Sequence, residues 1–311
     1  MSHQIVRWSL DELPDVLREL GIERPFFVAS PRWTAPVDVA GRWSEIPSDR
    51  ARVDGDADGL LAIGGGSAID TAKWLSATTA LPLVSVPTTY SGAEWTHFFG
   101  VRDRGRRMRG GGGGSNNAAI VYDVSLTLDL PRDVTGGTAL NALAHSAEAL
   151  YVRGRDPSAD PIALEGASLI SDTLPRVLED GHDLDARNRL LQGAARAGEA
   201  LGRSGLALGH AMAQVIGGTY GLPHGALNAI CLPPALRFNA EFVPPALLDG
   251  RAAERAEELK LLAGFTTLGA LGVPEDELPA LAESIAQRPG TLANPRPASS
   301  TDVLDLLRSV Y

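Results

Sequence analysis

The sequence predicts an N-terminal α/β domain built on a parallel sheet, followed by an all-helical domain, joined near LDLPRDV. Three observations carry this expectation. Apolar runs in the first 131 residues alternate with helical segments and are continuous, as in strands buried on both faces. From about Pro131 onward, β-branched runs become scarce and Ala/Leu-rich segments with helical spacing follow one another. A length of 311 residues fits two domains or one large one, and a 44% hydrophobic content is ample for a core. The domains are therefore placed at 1–131 and 132–311, and a cleft between two such domains is a common ligand site.

The elements follow in order. Residues 9–20 (SLDELPDVLREL) read as a short amphipathic helix, capped by Ser9 and ended by Gly21. ERPFFVAS is the first strand. The connection from Ser30 to Gly59 is short and rich in turn formers, with room for one further strand at RWSEI. GLLAIGGGSAIDTAKWLSA reads as strand, glycine turn and helix, LPLVSVPTTYSG as strand and turn, and AAIVYD as another strand. Between the last two lies RDRGRRMRGGGGGSNN (102–117), whose five arginines and five consecutive glycines predict a mobile loop. Segments 137–152, 160–178, 185–203, 205–216, 252–270 and 276–287 carry the helical pattern.

Composition excludes several function classes. A formal charge of −10 argues against nucleic acid, whose phosphates require a basic face. No run of 18 apolar residues is present, so no membrane-spanning helix is expected. The polar, acidic start MSHQIVRWSLDELPDV is unlike a signal peptide, and a cytoplasmic protein is expected. Cys231 is the only cysteine, which rules out a disulfide framework and any multi-cysteine metal site. Of 28 basic residues only Lys73 and Lys260 are lysines, so a lysine beside the glycine turn hints at a chemical role.

That turn, AIGGGSAIDTAK, follows a strand and opens a helix. Glycines let a phosphate approach the backbone, and the free amides and dipole at the helix start favour an anion. The sequence is not the G-x-G-x-x-G fingerprint: Ile69 occupies the third glycine position, and Val84 stands where an acid is expected. A tight turn without a ligand is the alternative reading. GHAMAQVIGGTYGLPHG raises a similar choice, with His210 and His224 fourteen residues apart. Either both line one site, or one is a packed core residue and the other lies in a loop.

Taken together and in order, GGGSAIDTAK, VPTTYSGAEWT, LNALAHSAEALY and GHAMAQVIGGTYGLPHGALNAICLP resemble the iron-containing alcohol dehydrogenase superfamily, and within it the maleylacetate reductases. The likeness runs from about residue 22 to the closing LANPRPAS. It implies a Rossmann-like nucleotide domain and a helical domain, as in the dehydroquinate synthase-like fold, with NADH or NADPH as cofactor. Carried over by motif, Gly64, Gly65, Gly66 and Ser67 match the pyrophosphate turn, and Asp70 and Lys73 its helix. Thr88, Thr89 and Ser91 match the cofactor-contacting turn, with Tyr90 on the substrate side. Ser30 matches the ribose position at the end of the first strand.

On the helical side, metal-dependent members read D-A-L-x-H, where this chain reads N-A-L-A-H and supplies Asn141 and His145. Two further histidines of the family match His210 and His224, so the resemblance favours the reading in which both line the site. Residues 141 and 145 share one helix face, and Glu148, about one turn on, is placed to orient His145. Three imidazoles could hold iron or zinc. Asparagine removes the only charged ligand, so the resemblance implies a site that works without metal, as in maleylacetate reductases. Gln214 and Pro234 replace histidines common in relatives, and the segment 31–58 is short for the family.

The activity implied is hydride transfer from NAD(P)H to an enone diacid such as maleylacetate, giving 3-oxoadipate. His145, His210 and His224 would donate to the developing enolate, with Asn141 and Gln214 beside them. A small carboxylic substrate calls for cations, and the arginines of 102–109, Arg203 and Arg237 are the candidates. For the 102–109 run, a solvated loop is the stronger alternative. Other readings are a metal-dependent alcohol dehydrogenase, a lyase of the dehydroquinate synthase type, and a binding protein that has lost turnover. Relatives are commonly homodimers, which sets that expectation here.

Overall fold

Every residue of strand β4 (Gly59–Gly64) is buried, and its side chains divide by alternation between two apolar layers. Leu61 and Ile63 join one cluster with Leu13, Val16 and Leu17 of helix α1 (Leu13–Glu19). Leu60 and Ala62 join another with Ala72 and Leu75 of helix α2 (Gly66–Thr79). A strand packed on both faces needs apolar residues at every position, so its sequence reads as an unbroken run. The computed structural model describes residues 4–311. Among them, six strands form one sheet in the order β1-β8-β5-β4-β2-β3. Besides β4 these are β1 (Ile5–Arg7), β2 (Pro25–Val28), β3 (Gly41–Trp43), β5 (Leu83–Pro87) and β8 (Asn117–Val121), all paired in parallel. The parallel sheet expected from the continuous apolar runs is present.

Two compact units result, the first ending at Thr127 and the second running from Leu128 to Tyr311. The second is built from α3 (Arg132–Ala149), α4 (Asp160–Glu179), α5 (Leu184–Ser204), α6 (Leu208–Tyr220), α7 (His224–Phe238), α8 (Ala252–Leu262), α9 (Leu278–Ala286), α10 (Pro289–Leu292) and α11 (Ser300–Ser309). One of its cores joins Met212, Ile216, Leu227 and Ile230 to Leu281, Ile285, Val303 and Leu307. Among the described residues no helix is long and apolar enough to cross a membrane.

Several elements differ from the sequence reading. The arginine–glycine run is not a loop throughout: β6 (Phe99–Arg102) and β7 (Met108–Gly112) pair as an antiparallel hairpin. Its turn is tied by Asp103, which accepts from the Arg107 amide and pairs with Arg109. A Cβ at Gly111 would lie 3.0 Å from the Phe99 carbonyl, so the glycines permit a close strand pair that propensity disfavours. Strand β1 gave no apolar signal because it is three residues long and only half-buried. Helix α7 was hidden by Pro233 and Pro234, both inside it, whereas the segment expected over 252–270 stops at Leu262, before Gly264 at φ +90°.

Candidate active site

In the first unit the turn after β4 is held to fine tolerance. A Cβ at Gly64, where φ is +155°, would lie 2.7 Å from the Ala68 Cβ. At Gly65 it would lie 2.9 Å from Thr89 Cγ2, and at Gly66 3.2 Å from Ser91 Oγ. The segment Thr88–Ser91 therefore runs directly against the turn, with the Thr88 amide donating to the Gly64 carbonyl at 3.0 Å. Gly65 caps the 14-residue helix α2 without any side-chain hydrogen bond, leaving its first amides to a ligand or solvent. The hydroxyls of Thr88 and Thr89 are buried without a protein partner. A diphosphate fits here, because orphaned hydroxyls and helix amides are the donors that an anion requires.

The other residues of the motif do different work. Lys73 is 1% exposed, and its ammonium donates to the Ala93 carbonyl (2.8 Å), Thr96 Oγ1 (3.0 Å) and the Phe98 carbonyl (2.6 Å). It also pairs with Asp70 Oδ1 at 2.9 Å. An ammonium has three N–H bonds, and four oxygens of the protein already lie within reach of this one, which ties the 93–98 segment to α2. Asp70 is likewise engaged, its Oδ2 accepting from the Gly100 amide. The same segment is locked from the other side, where Trp95 Nε1 donates to the Tyr122 hydroxyl, which donates to Glu94 Oε1 at 2.8 Å. Burial raises the Glu94 pKa. Tyr90 is fully buried. Ser30 follows β2, and its carbonyl accepts from Arg42 Nη2 at 2.9 Å.

In the second unit the histidines come together. Helices α3 and α7 cross backbone to backbone: a Cβ at Gly225 would lie 2.6 Å from the Gly137 carbonyl carbon. One turn beyond Gly137 stands Asn141, and His224 adjoins Gly225. The rings of His145 and His210 stack with centroids 4.8 Å apart, and His224 lies 5.8 Å from His210. His145 and His210 are buried, whereas His224 is half-buried at the first residue of α7. Gln214 is half-buried one turn along α6 from His210.

Glu148 orients His210 rather than His145. Its carboxylate accepts from His210 Nδ1 at 2.8 Å, from the Ala207 amide at 2.7 Å and from the His210 amide at 3.2 Å. It thus caps a helix whose own cap residue, Ala207, offers no side-chain hydrogen bond. Only a glycine at 209 permits this approach, since a Cβ there would lie 2.9 Å from Glu148 Oε1. The i, i+3 spacing of His145 and Glu148 made the wrong partner look closer, because the true one belongs to another helix. Burial, with smaller contributions from His210 and His224, holds the His145 pKa well below the ordinary imidazole value, so this ring stays neutral. His145 Nδ1, His210 Nε2 and Asn228 Oδ1 are buried without a protein partner.

Asn228, one turn along α7 from His224, escaped the sequence reading. Its Nδ2 donates to Asn141 Oδ1 at 2.7 Å and lies 3.0 Å from His224 Nε2. Arg203 and Arg237, candidates for a substrate carboxylate, are ion-paired with Asp156 and Glu257 respectively. Arg104 of the hairpin turn pairs with Glu45.

A divalent metal fits this donor set poorly. Asn141 is neutral and its oxygen already accepts from Asn228. The planes of His145 and His210 are within 17° of parallel, an arrangement ill-suited to aiming two in-plane lone pairs at one ion. Among the described residues no group of three or more His, Cys, Asp and Glu is arranged to hold a metal.

The chain is similar to known proteins over nearly its whole length. Residues 135–311 match the C-terminal model of the Fe-containing alcohol dehydrogenase family, and residues 49–122 match the model for iron-containing alcohol dehydrogenase. Maleylacetate reductase 1 of Cupriavidus pinatubonensis is 34% identical over 326 residues, covering 96% of this chain and 92% of that protein. The crystal structure of maleylacetate reductase from Agrobacterium tumefaciens superposes with a TM-score of 0.88 at 30% identity, covering 100% of this chain and 97% of that one. The maleylacetate reductase structure from Rhizobium sp. strain MTP-10005 gives a TM-score of 0.88 at 29% identity, with the same coverage. On the extent of these matches, the chain belongs to the iron-containing alcohol dehydrogenase family.

Proposed function

We propose that this oxidoreductase reduces an unsaturated oxo-dicarboxylate of the maleylacetate type, taking hydride from NADH or NADPH and working without a metal. The observation that supports this most is the cluster of buried His145, His210, Asn141 and Asn228 with half-buried His224, which keeps orphaned polar atoms but has a neutral asparagine in the position of the family's aspartate. Hydride adds to one carbon of the conjugated double bond, and the electron pair moves to the ketone oxygen as an enolate. Protonation of the adjacent carbon then gives the saturated oxo-dicarboxylate and NAD(P)+. The enolate needs donors fixed in advance. A neutral imidazole donates through one nitrogen without neutralising the site. His210 spends its N–H on Glu148 through Nδ1, which fixes the ring and leaves Nε2 as an acceptor, so the neutral donors to the enolate are His145 and His224. The Gly64–Ser67 turn, with Thr88 and Thr89, would hold the pyrophosphate of the cofactor.

The test is oxidation of NADH or NADPH on addition of an enone dicarboxylate. Turnover is expected, and no turnover with the saturated oxo-dicarboxylate. A companion result concerns metal. Protein purified without added metal should carry well under one equivalent of iron or zinc, and EDTA should leave its activity intact. Asn141→Asp should raise metal affinity by restoring a charged ligand. Stoichiometric metal in the wild-type protein, lost together with activity in EDTA, contradicts the metal-free reading.

A further inference from the structure

We propose that Asn228 is a positioning residue that sets the tautomer of His224, keeping its proton on Nδ1 and its lone pair on Nε2. An amide nitrogen only donates, and it has two N–H bonds. One is directed at Asn141 Oδ1 at 2.7 Å, and the other reaches His224 Nε2 at 3.0 Å, with the His224 carbonyl a longer second acceptor at 3.3 Å. A nitrogen that receives a hydrogen bond carries its lone pair there, so the imidazole proton resides on the other nitrogen. The geometry leaves the amide little freedom. Asn228 is 1% exposed, sits one helical turn from His224, and is seated where α7 meets α3 backbone to backbone at Gly225 and Gly137. Asn141 gains a role from the same contact: its oxygen anchors the Asn228 nitrogen. An aspartate there would accept the same bond but add a charge.

The consequence rests on the proposed reduction. With Nε2 committed as an acceptor, His224 offers Nδ1–H as a donor, which suits a substrate oxygen gaining negative charge and does not suit a cation. Asn228 itself acts only through the ring it orients.

The experiment is nitrogen NMR of the full-length protein labelled at histidine, with the His224 signals assigned by their loss in His224→Gln. The expected result is a neutral His224 protonated on Nδ1. In Asn228→Asp the carboxylate accepts rather than donates, so the proton should move to Nε2. In that variant kcat should fall ~10- to 100-fold, the effect typical of losing a residue that orients a site imidazole, with KM for the cofactor unchanged. Proton on Nε2 in the wild-type protein overturns the proposal, and that reading requires no variant to fold. An Asn228→Asp protein that keeps both the wild-type tautomer and the wild-type kcat also overturns it. Turnover of the enone dicarboxylate with the Nε2–H form leaves the proposed function standing and removes the tautomer lock. The Nδ1–H form without turnover does the reverse.

Discussion

Gly65→Asp is expected to abolish binding of both NADH and NADPH. The added Cβ falls 2.9 Å from Thr89 Cγ2 and 3.2 Å from Thr89 Oγ1, so the Thr88–Ser91 segment must be displaced from the turn. The carboxylate also places a negative charge at the start of α2, where the helix dipole and free amides favour an anionic ligand. Steric and electrostatic effects act in the same direction, and a loss of at least ~100-fold, or ~2.7 kcal/mol, is expected. Gly65→Ala carries the steric part alone and should lie between. The wild-type protein should bind the two cofactors within roughly tenfold of one another, because Ser30 is neutral and supplies no charge to repel a 2′-phosphate. Titration by fluorescence quenching reads all of these. Unchanged affinity in Gly65→Asp would place the cofactor elsewhere.

The second large effect is expected at the histidines. His224→Ala and His145→Ala should each lower kcat by ~10²–10³, as when a preorganised donor is lost, while the protein remains folded. His224 is half-buried, so its removal leaves little cavity, whereas His145→Ala also loses the stack on His210. His210→Ala should behave differently. It removes the imidazole from a fully buried carboxylate and leaves Glu148 with only the amide donors of Ala207 and residue 210. Stripping one partner from a buried charged group costs stability as well as activity, so this variant should melt earlier than the other two. Variants at 145 and 224 that lose melting temperature but keep kcat would make these histidines packing residues.

How much of this was legible in the sequence depends on how local each signal is. The glycine turn was legible because backbone approach demands glycine at successive positions, and β4 because two-sided burial leaves an unbroken apolar run. His145, His210 and His224 were found through motif spacing, and the structure brings them within one cluster. Tertiary contacts erased other signals. Glu148 looks in sequence like a neighbour of His145, yet its partner is on α6, brought near by the absence of a side chain at Gly209. Asn228 had no signal beyond its i+4 spacing from His224, since its partner Asn141 is 87 residues away. Lys73 drew notice for its rarity, and its ammonium lies within reach of three oxygens of the segment 93–98 and of Asp70. The hairpin at 99–112 was illegible because polyglycine has no side-chain pattern from which a strand could be read.

The central claim is that hydride goes to a conjugated carbon–carbon double bond and not to a carbonyl. The most direct measurement uses NADH or NADPH deuterated at the transferring position, with an enone oxo-dicarboxylate as substrate and the product examined by NMR and mass spectrometry. The account predicts one deuterium on a carbon of the former double bond, a solvent-derived proton on its neighbour and an intact ketone. Deuterium on a newly formed alcohol carbon, with the double bond retained, contradicts it and makes the protein a carbonyl reductase.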